Sequence, residues 1–367
     1  MRGHVRRRSP GTWAIVLDIR EDGRRRRKWH SFKGTKREAE AECARLIAML
    51  KSGSYMEPTK TTVASFLEHW LAHKRMEISP RTHECYGEVV RNIVPTVGNI
   101  VLSKLQPAII AQMYSQALQR LSPRSVHMMH RLLSQALKQA VTWQLLPRNP
   151  CDAVATPRVE RKRMQALDAD GAAALIEAAR GRAIFMPILL GLLCGLRRGE
   201  VAALRWCDVD GDRLRIVASA EQTSHGVRLK PPKSGRSRVV AMPSLAVEEL
   251  HRHRLKQAEE LLRLGIRQSD DTHVCLQPNY QPWAPRNLSS AFIKFILASG
   301  LPRVRLHDLR HSHASHLLAA NVHPKIVQER LGHANIATHV MPGMQDEAAS
   351  RVDLALRAAL GKRSKTT

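Results

Sequence analysis

Between residues 62 and 146 the apolar side chains recur every three to four positions in three successive stripes, a period that only helices packed into a bundle satisfy. Val63, Phe66, Leu67, Trp70 and Leu71 share one face, and Ile109, Ile110, Met113, Ala117 and Leu118 share a second. Val126, Met129, Leu132, Leu133, Ala136, Leu137, Ala140 and Val141 form the third stripe, over about four turns. It stops before Pro147 and Pro150, because proline lacks the amide proton a helix interior needs. The methionines and aromatics in these stripes read as core, not as a cofactor site.

Toward the N-terminus the period shortens to two. Trp13, Ile15, Leu17 and Ile19 alternate with their neighbours, Asp22-Gly23 supplies a hairpin turn, and Arg24 to Lys33 returns as a second, basic strand. Thr35 and Glu38 have capping-box spacing, and Ala39, Cys43, Leu46, Ile47 and Leu50 then fall on the face of a helix that covers the sheet. The other sheet face is expected to present Arg24, Arg25, Arg26, Arg27, Lys28 and Lys33, and a narrow basic sheet fits a major groove. A solvated hairpin with incidental charge is the plainer alternative. Ser52 to Thr61 reads as a linker.

Beyond the bundle, Pro147 to Arg163 holds three prolines and several cations without periodicity, a basic linker. A further domain starts near Leu167, helical to about Trp206, strand-like at Leu214 to Val217 and Ser237 to Met242, and helical again at Leu245 to Leu262, Arg286 to Ala298 and Asp308 to Leu331. No internal repeat recurs. The fold class is therefore mainly α with small β-sheets. The apolar run Ala183 to Gly195 contains Pro187 and is too short to cross a bilayer, so it reads as a buried helix.

Lys and Arg total 59 against 32 Asp and Glu, a net charge of +27 spread along the chain. That balance favours nucleic acid as partner; a membrane surface would require an amphipathic anchor or a span. The basic start MRGHVRRRSP is followed by no apolar h-region, so the expected compartment is the cytoplasm. The six cysteines, Cys43, Cys85, Cys151, Cys194, Cys207 and Cys275, lie far apart without a C-x-x-C pair and read as reduced packing residues.

Moving a phosphodiester requires charge stabilisation on its non-bridging oxygens, which the always-charged planar fork of arginine supplies. In GLLCGLRRGE, residues 191–200, an apolar helix ends at Gly195 and Arg197 emerges at the turn, with Arg198 as its rival. Taken alone, either is a surface arginine at a helix start. In LHDLRHSHASHLLAANVHPKIVQERLGH, residues 306–333, Arg310 follows His307 by three positions, so both reach one phosphate from one helix face, unless that face is merely solvated. LKPPKSGRSRVVAMP, residues 229–243, reads as a cation-rich hairpin with Ser234-Gly235 at its tip. From a mobile tip Lys233, with Lys230 in reserve, would protonate a leaving oxygen; solvated turn lysines are the alternative. His307, His311, His313, His316, His323 and His333 crowd the same block, but no acid or thiolate completes a ligand set and no metal is expected.

GLRRGE, the lysine segment, HDLRH and LGH, in this order and spacing, resemble the tyrosine recombinases, the phage-integrase family of site-specific recombinases. The resemblance covers nearly the whole chain. It implies a three-stranded arm-type DNA-binding domain at 1–51, a helical, SAM-like core-binding domain at 62–146, and an integrase catalytic domain at 165–360. It also implies that Arg197, Lys233, His307, Arg310 and His333 form the active-site pocket. There the arginines clamp the scissile phosphate, the lysine is general acid to the 5′ oxygen, and the histidines bond the phosphate or assist proton transfer, with no cofactor or metal. The implied partners are double-stranded DNA, a homotetramer assembled on it, and an excisionase or host DNA-bending protein. The implied origin is a phage or other mobile element.

One part of the family pattern is missing. Such enzymes continue after LGH to a tyrosine that attacks the phosphate, whereas this chain reads LGHANIATHVMPGMQDEAASRVD and has no tyrosine after Tyr280. The stretch from His339 onward resembles the segment that lies just beyond the tyrosine in such enzymes, which implies a short in-frame deletion between Ile336 and His339. His339, Ser350, Cys207 and Cys275 are substitutes only if aligned with the phosphate and activated by a base, which is not expected. A second copy of the chain has no tyrosine to donate either. The expectation is an integrase-type protein that binds attachment-site DNA but does not cleave it. Two alternatives remain: a non-enzymatic regulator that competes with an intact recombinase, for which Ala319 to Asn321 followed by Pro324 to Leu331 resembles a helix-turn-helix, and an active integrase if resequencing restores the segment. The C-terminal helix, which in the family often packs on a neighbouring subunit, comes after a shortened connection, so tetramer assembly is open as well.

Overall fold

The computed structural model describes residues 2–21, 24–51, 60–160, 166–233, 235–332 and 344–364, and divides into two compact units, Met1–Glu160 and Arg161–Thr367. The first unit opens with an antiparallel sheet of β1 (Arg2–Ser9), β2 (Thr12–Glu21) and β3 (Arg24–Lys33) in that order, followed by α1 (Lys36–Lys51). Alternation in the sequence predicts only β2 and β3, because the arginine run Arg6, Arg7, Arg8 hides the period of β1. Its pattern is nonetheless present: Gly3 pairs with Leu17 and Val5 with Ile15. A Cβ on Gly3 would lie 2.9 Å from Cys43 Sγ, so the strand edge approaches the helix closely. The capping box forms as spaced, with Thr35 N donating to Glu38 Oε2 (2.8 Å) and Glu38 N to Thr35 Oγ1 (3.3 Å). Ile15, Leu17, Cys43 and Leu46 make the core between sheet and helix.

Strand geometry corrects the expected basic face. Successive side chains point to opposite faces, and Lys28 pairs with Leu17, on the face that carries the core. Arg27 and Lys33 pair with Asp18 and Thr12 on the opposite face, where Arg27 Nε donates to Asp18 Oδ1 at 3.2 Å. A run of cations along one strand therefore divides between both faces. The side chains of Arg24, Arg25 and Arg26 lie outside the described residues.

The remainder of this unit is α2 (Val63–Lys74), α3 (Pro80–Val97), α4 (Pro107–Leu118) and α5 (Pro123–Thr142). Thr62, Ser79 and Ser122 cap α2, α3 and α5 by accepting from Ser65, Thr82 and Ser125 N. Proline in the first turn of α3, α4 and α5 costs no bond, since that amide has no helical partner. The predicted stripes form the core, in which Phe66, Trp70, Ile110, Met113, Leu133 and Leu137 are buried. Leu118 is the exception, 41% exposed at the end of α4. No stripe announces α3 because its fully buried apolar positions are Ile93 and Val97, too few for a clear period.

In the second unit α6 (Ala169–Ala179), α7 (Phe185–Leu193) and α8 (Arg198–Ala203) lead into β4 (Val209–Asp210), β5 (Arg213–Ile216), β6 (Ser219–Thr223), β7 (Gly226–Lys230) and β8 (Arg238–Ala241). The chain closes with α9 (Ser244–Arg263), α10 (Pro285–Ser299), α11 (Leu306–Ala319), α12 (Pro324–Leu331) and α13 (Met344–Ser364). Met186 through Leu193 of α7 are all buried, which makes it the central helix. Two expectations change here. The segment 229–243 is not a hairpin: β7 pairs with β6 and β8 with β5, in separate sheets, and Pro231-Pro232 offers no amide to extend a ladder. The helix expected at Asp308 to Leu331 is two helices, broken where Asn321 takes φ +56° before Pro324. The C-terminal helix packs on its own unit: Ala348, Val352 and Leu356 enter the core, and Asp353 accepts from Leu245 N (2.8 Å) and Ser244 Oγ (2.7 Å). It thereby caps α9, whose own cap position is Pro243. Among the described residues no helix is long and apolar enough to cross a membrane.

Candidate active site

The site is built around the turn that ends α7. Gly195 adopts φ +64°, and a Cβ there would lie 2.6 Å from His313 Cδ2 and 2.8 Å from Leu331 Cδ2, so both backbone and packing require glycine. Two residues later Arg197 occupies the N-cap of α8. Its amide donates to Glu200 Oε2 (2.8 Å), Nη1 to Glu200 Oε1 (3.0 Å) and Nη2 to the Gly332 carbonyl (3.1 Å). Arg198 is exposed and donates instead to Ser289 Oγ on α10. Between the two rivals, Arg197 is the one aimed at the end of α12.

Arg310 comes from the first turns of α11, a helix started by Asp308, which accepts from Arg305 N at 2.9 Å. Arg310 is 3% exposed; Nη1 donates to the Gly195 carbonyl (2.6 Å) and Nη2 to the Leu331 carbonyl. Burial first, then the charge of Arg197, push its pKa down to about 9, which leaves it a cation at neutral pH. His307 lies one turn earlier with its ring edge-on to His311, the centroids 4.9 Å apart. The ring is solvent-accessible, but partial desolvation, followed by the charges of His311 and Arg310, lowers its pKa, so it is neutral at pH 7 and offers a hydrogen bond instead of a charge.

Two residues that the sequence did not single out complete the pocket. Glu200 is 1% exposed, and Arg238 grips it with both arms, Nη1 to Oε1 (2.9 Å) and Nη2 to Oε2 (2.7 Å), while Arg238 Nε donates to the Arg330 carbonyl (3.0 Å). Burial alone would raise the Glu200 pKa, but Arg238 and Arg197 outweigh it and hold the carboxyl below its ordinary value. Glu200 had a local signal, its capping-box spacing from Arg197. Arg238 had none, since only the fold brings it to a partner 38 positions away.

The remaining expected residues are less closely tied in. Lys233 is exposed on the connection between β7 and β8. Lys230 donates to Glu221, which also accepts from Arg228 (2.6 Å), so its amine is already engaged in an ion pair. His333 lies outside the described residues; the last residue before it, Gly332, receives Arg197. The other histidines scatter, His313 into the core against the Leu192 carbonyl and His316 against the Leu167 carbonyl, and among the described residues no His, Cys, Asp or Glu group could hold a metal.

Tyr280 lines a separate cavity of about 520 Å³ with Arg180, Phe185 and His253, and none of the pocket arginines borders it. Cys275 is buried against the same cavity, and its burial drives the thiol pKa up, the wrong direction for a nucleophile. Ser350 donates to the Asp346 carbonyl on α13, Cys207 is half-buried beside β4, and His339 lies outside the described residues.

Buried histidines give the second unit a pH limit. His313 Nδ1 donates to the Leu192 carbonyl (2.8 Å) and Nε2 accepts from Arg330 Nε (3.1 Å), a pattern that needs the neutral ring. Burial, then Arg330, hold its pKa well below 6.5, and the partly buried His253 and His273 shift the same way. The unfolded chain binds these protons first, so stability is full above about pH 6.5 and declines below it. The urea midpoint should fall between about pH 7.5 and 5.5; a constant midpoint contradicts the neutral buried rings.

Comparison with known proteins matches this arrangement to one family. Residues 163–341 match the phage integrase family and residues 62–118 the phage integrase N-terminal SAM-like domain. The chain is 25% identical to a tyrosine recombinase XerC-like protein of Caldanaerobacter subterraneus, covering 92% of this chain and 94% of that protein. It is 31% identical to the ICEBs1 integrase of Bacillus subtilis, covering 64% and 66%. Among solved structures it is similar to a lambda integrase tetramer bound to a Holliday junction (TM-score 0.60, 18% identity, 93% of this chain and 98% of that one). It is also similar to the Tn1549 transposon integrase in complex with a circular intermediate DNA (TM-score 0.64, 17% identity, 78% and 98%). With its mainly helical fold and a catalytic-domain match that spans Arg197, Arg310 and Arg238, the chain belongs to the phage integrase family of tyrosine recombinases.

Proposed function

We propose that this protein binds attachment-site DNA as an integrase-type recombination protein and has lost strand cleavage. The observation that carries the binding half is the convergence of Arg197 and Arg310 on the Gly195 turn and the end of α12, in a pocket where one buried carboxylate, Glu200, is shared by Arg197 and Arg238. Its guanidiniums outnumber their counter-charge, as expected where a phosphate is to be clamped. In this reading Arg197 and Arg310 hold the phosphate, Lys233 is the proton donor, and His307 and His333 supply hydrogen bonds. Residues 1–51 and 62–146 are further DNA-binding domains, with Arg27 and Lys33 on the open face of the small sheet. Assembly as a homotetramer, with an excisionase or host DNA-bending protein, accords with the family. What supports the loss of cleavage is the absence of any tyrosine between His333 and Thr367.

Binding through many phosphates releases counterions, so affinity for duplex DNA should fall about 10³-fold or more between roughly 50 and 200 mM salt. Fluorescence anisotropy with a labelled duplex measures this, and salt-independent binding defeats the proposal. A second reading, a regulator that competes with an intact recombinase, rests on the same missing tyrosine. It predicts that mixing the chain with an active relative depresses recombination by that relative.

A further inference from the structure

We propose that His313 and Arg330 form a buried positioning couple that sets the Gly195 turn, and through it Arg197, against the phosphate pocket; this rests on the pocket being a DNA-phosphate site. Both side chains are fully buried at 0% exposure, and no carboxylate bonds Arg330 among the described residues. Its Nε donates to His313 Nε2 (3.1 Å), its Nη2 to the Leu193 carbonyl (3.4 Å), and its Nη1 has no described partner. A guanidinium so placed is expensive to bury, and an apolar residue would fill the same space with less cost. The couple must therefore be judged by what it holds in place.

It holds the end of α7. His313 donates to the Leu192 carbonyl and Arg330 to the next carbonyl, Leu193, while the edge of the His313 ring lies beneath Gly195, where a single added methyl would come within 2.6 Å. The height of that turn is set by the ring, and Arg197 is two residues further on. Arg310 grips the same turn from the other side through the Gly195 carbonyl, and the Arg330 carbonyl receives Arg238, which in turn holds Glu200. α7, α11 and α12 are thus joined by side-chain bonds to backbone carbonyls at the point where Arg197 leaves the core. His313 and Arg330 touch no substrate in this arrangement, so they are positioning residues.

The test is a cycle in the full chain. His313→Phe with Arg330→Met replaces the couple by apolar groups of similar size, and Arg197→Ala is then made in both backgrounds. Duplex binding is read by anisotropy at one low salt concentration. In the native background Arg197→Ala should weaken binding about 10-fold, the order expected for one charge-assisted bond to phosphate. In the substituted background it should change affinity less than about twofold, although the protein remains folded by thermal melting. Adding His313→Gln with Arg330 retained, which keeps one donor and one acceptor, should restore the dependence on Arg197. Equal losses in both backgrounds overturn the proposal, because Arg197 would then be placed without the couple. If the double substitution does not fold, the single His313→Phe variant takes its place with the same two outcomes. If the native chain binds no duplex, or Arg197→Ala costs nothing in it, the reading of the pocket fails and the couple's role with it.

Discussion

A nicked suicide duplex incubated with the chain should trap no covalent protein–DNA adduct, and inserting a tyrosine-bearing segment between Ile336 and His339 should restore trapping. The expected effect is large, because removal of a covalent nucleophile in a protease costs about 10⁶ in rate and the groups left behind recover little of it. In the proposed reading Arg197 and Arg310 would stabilise charge on the phosphate but could not form the bond. The candidate substitutes are poorly equipped: Cys275 is buried with a raised pKa, and Tyr280 belongs to a different cavity. In the repaired chain, Tyr280→Phe should change nothing, while Arg197→Ala or Arg310→Ala should each slow adduct formation by about 10²- to 10³-fold. An adduct formed by the unrepaired chain would reveal a working nucleophile elsewhere. No adduct from the repaired chain would show that the pocket had decayed along with the tyrosine.

Glu200→Ala should be the most damaging single change to stability, at about 3–5 kcal/mol, since it leaves Arg197 and Arg238 buried or half-buried without their shared counter-charge. Pairs on the surface, such as Lys36 with Glu40, should contribute about 1 kcal/mol or less. Glu200→Gln preserves shape and removes charge, so it should remain strongly destabilising. Urea unfolding monitored through Trp206 and Trp283 reports on the second unit, and a loss below about 1 kcal/mol would show that the buried network is not coupled. The lowered carboxyl sets the sign with pH. Its contribution is present above the ordinary value near 4.5 and is lost as pH falls below that toward the folded value.

Much of this architecture was legible in the chain itself. The stripes of α2, α4 and α5, the Thr35–Glu38 capping box and the buried run of α7 are local patterns, each decided by residues within a few turns of one another. The local placement of the candidates Arg197 and Arg310 was legible for the same reason: one caps a helix just after a glycine turn, and the other lies three positions beyond His307 on one helix face. Where local pattern was weak or misleading, the expectation failed. The arginines of β1 concealed a strand whose partner is β2, and the cations of β3 were assigned to one face although neighbouring positions in a strand point apart.

Only the tertiary structure decided the rest. Whether the lysine segment forms a hairpin depends on the partners of β7 and β8, which lie in different sheets, and the two prolines between them give no indication of which. That Glu200 is shared by Arg197 and Arg238, that Arg310 and His313 both brace the Gly195 turn, and that Tyr280 is kept away from them are results of how distant segments close on one another. Periodicity and capping are short-range effects that a sequence displays directly. Contacts between α7, α8, β8, α11 and α12 are chosen by which buried surfaces and backbone carbonyls can be satisfied together, and that choice exists only in the folded chain.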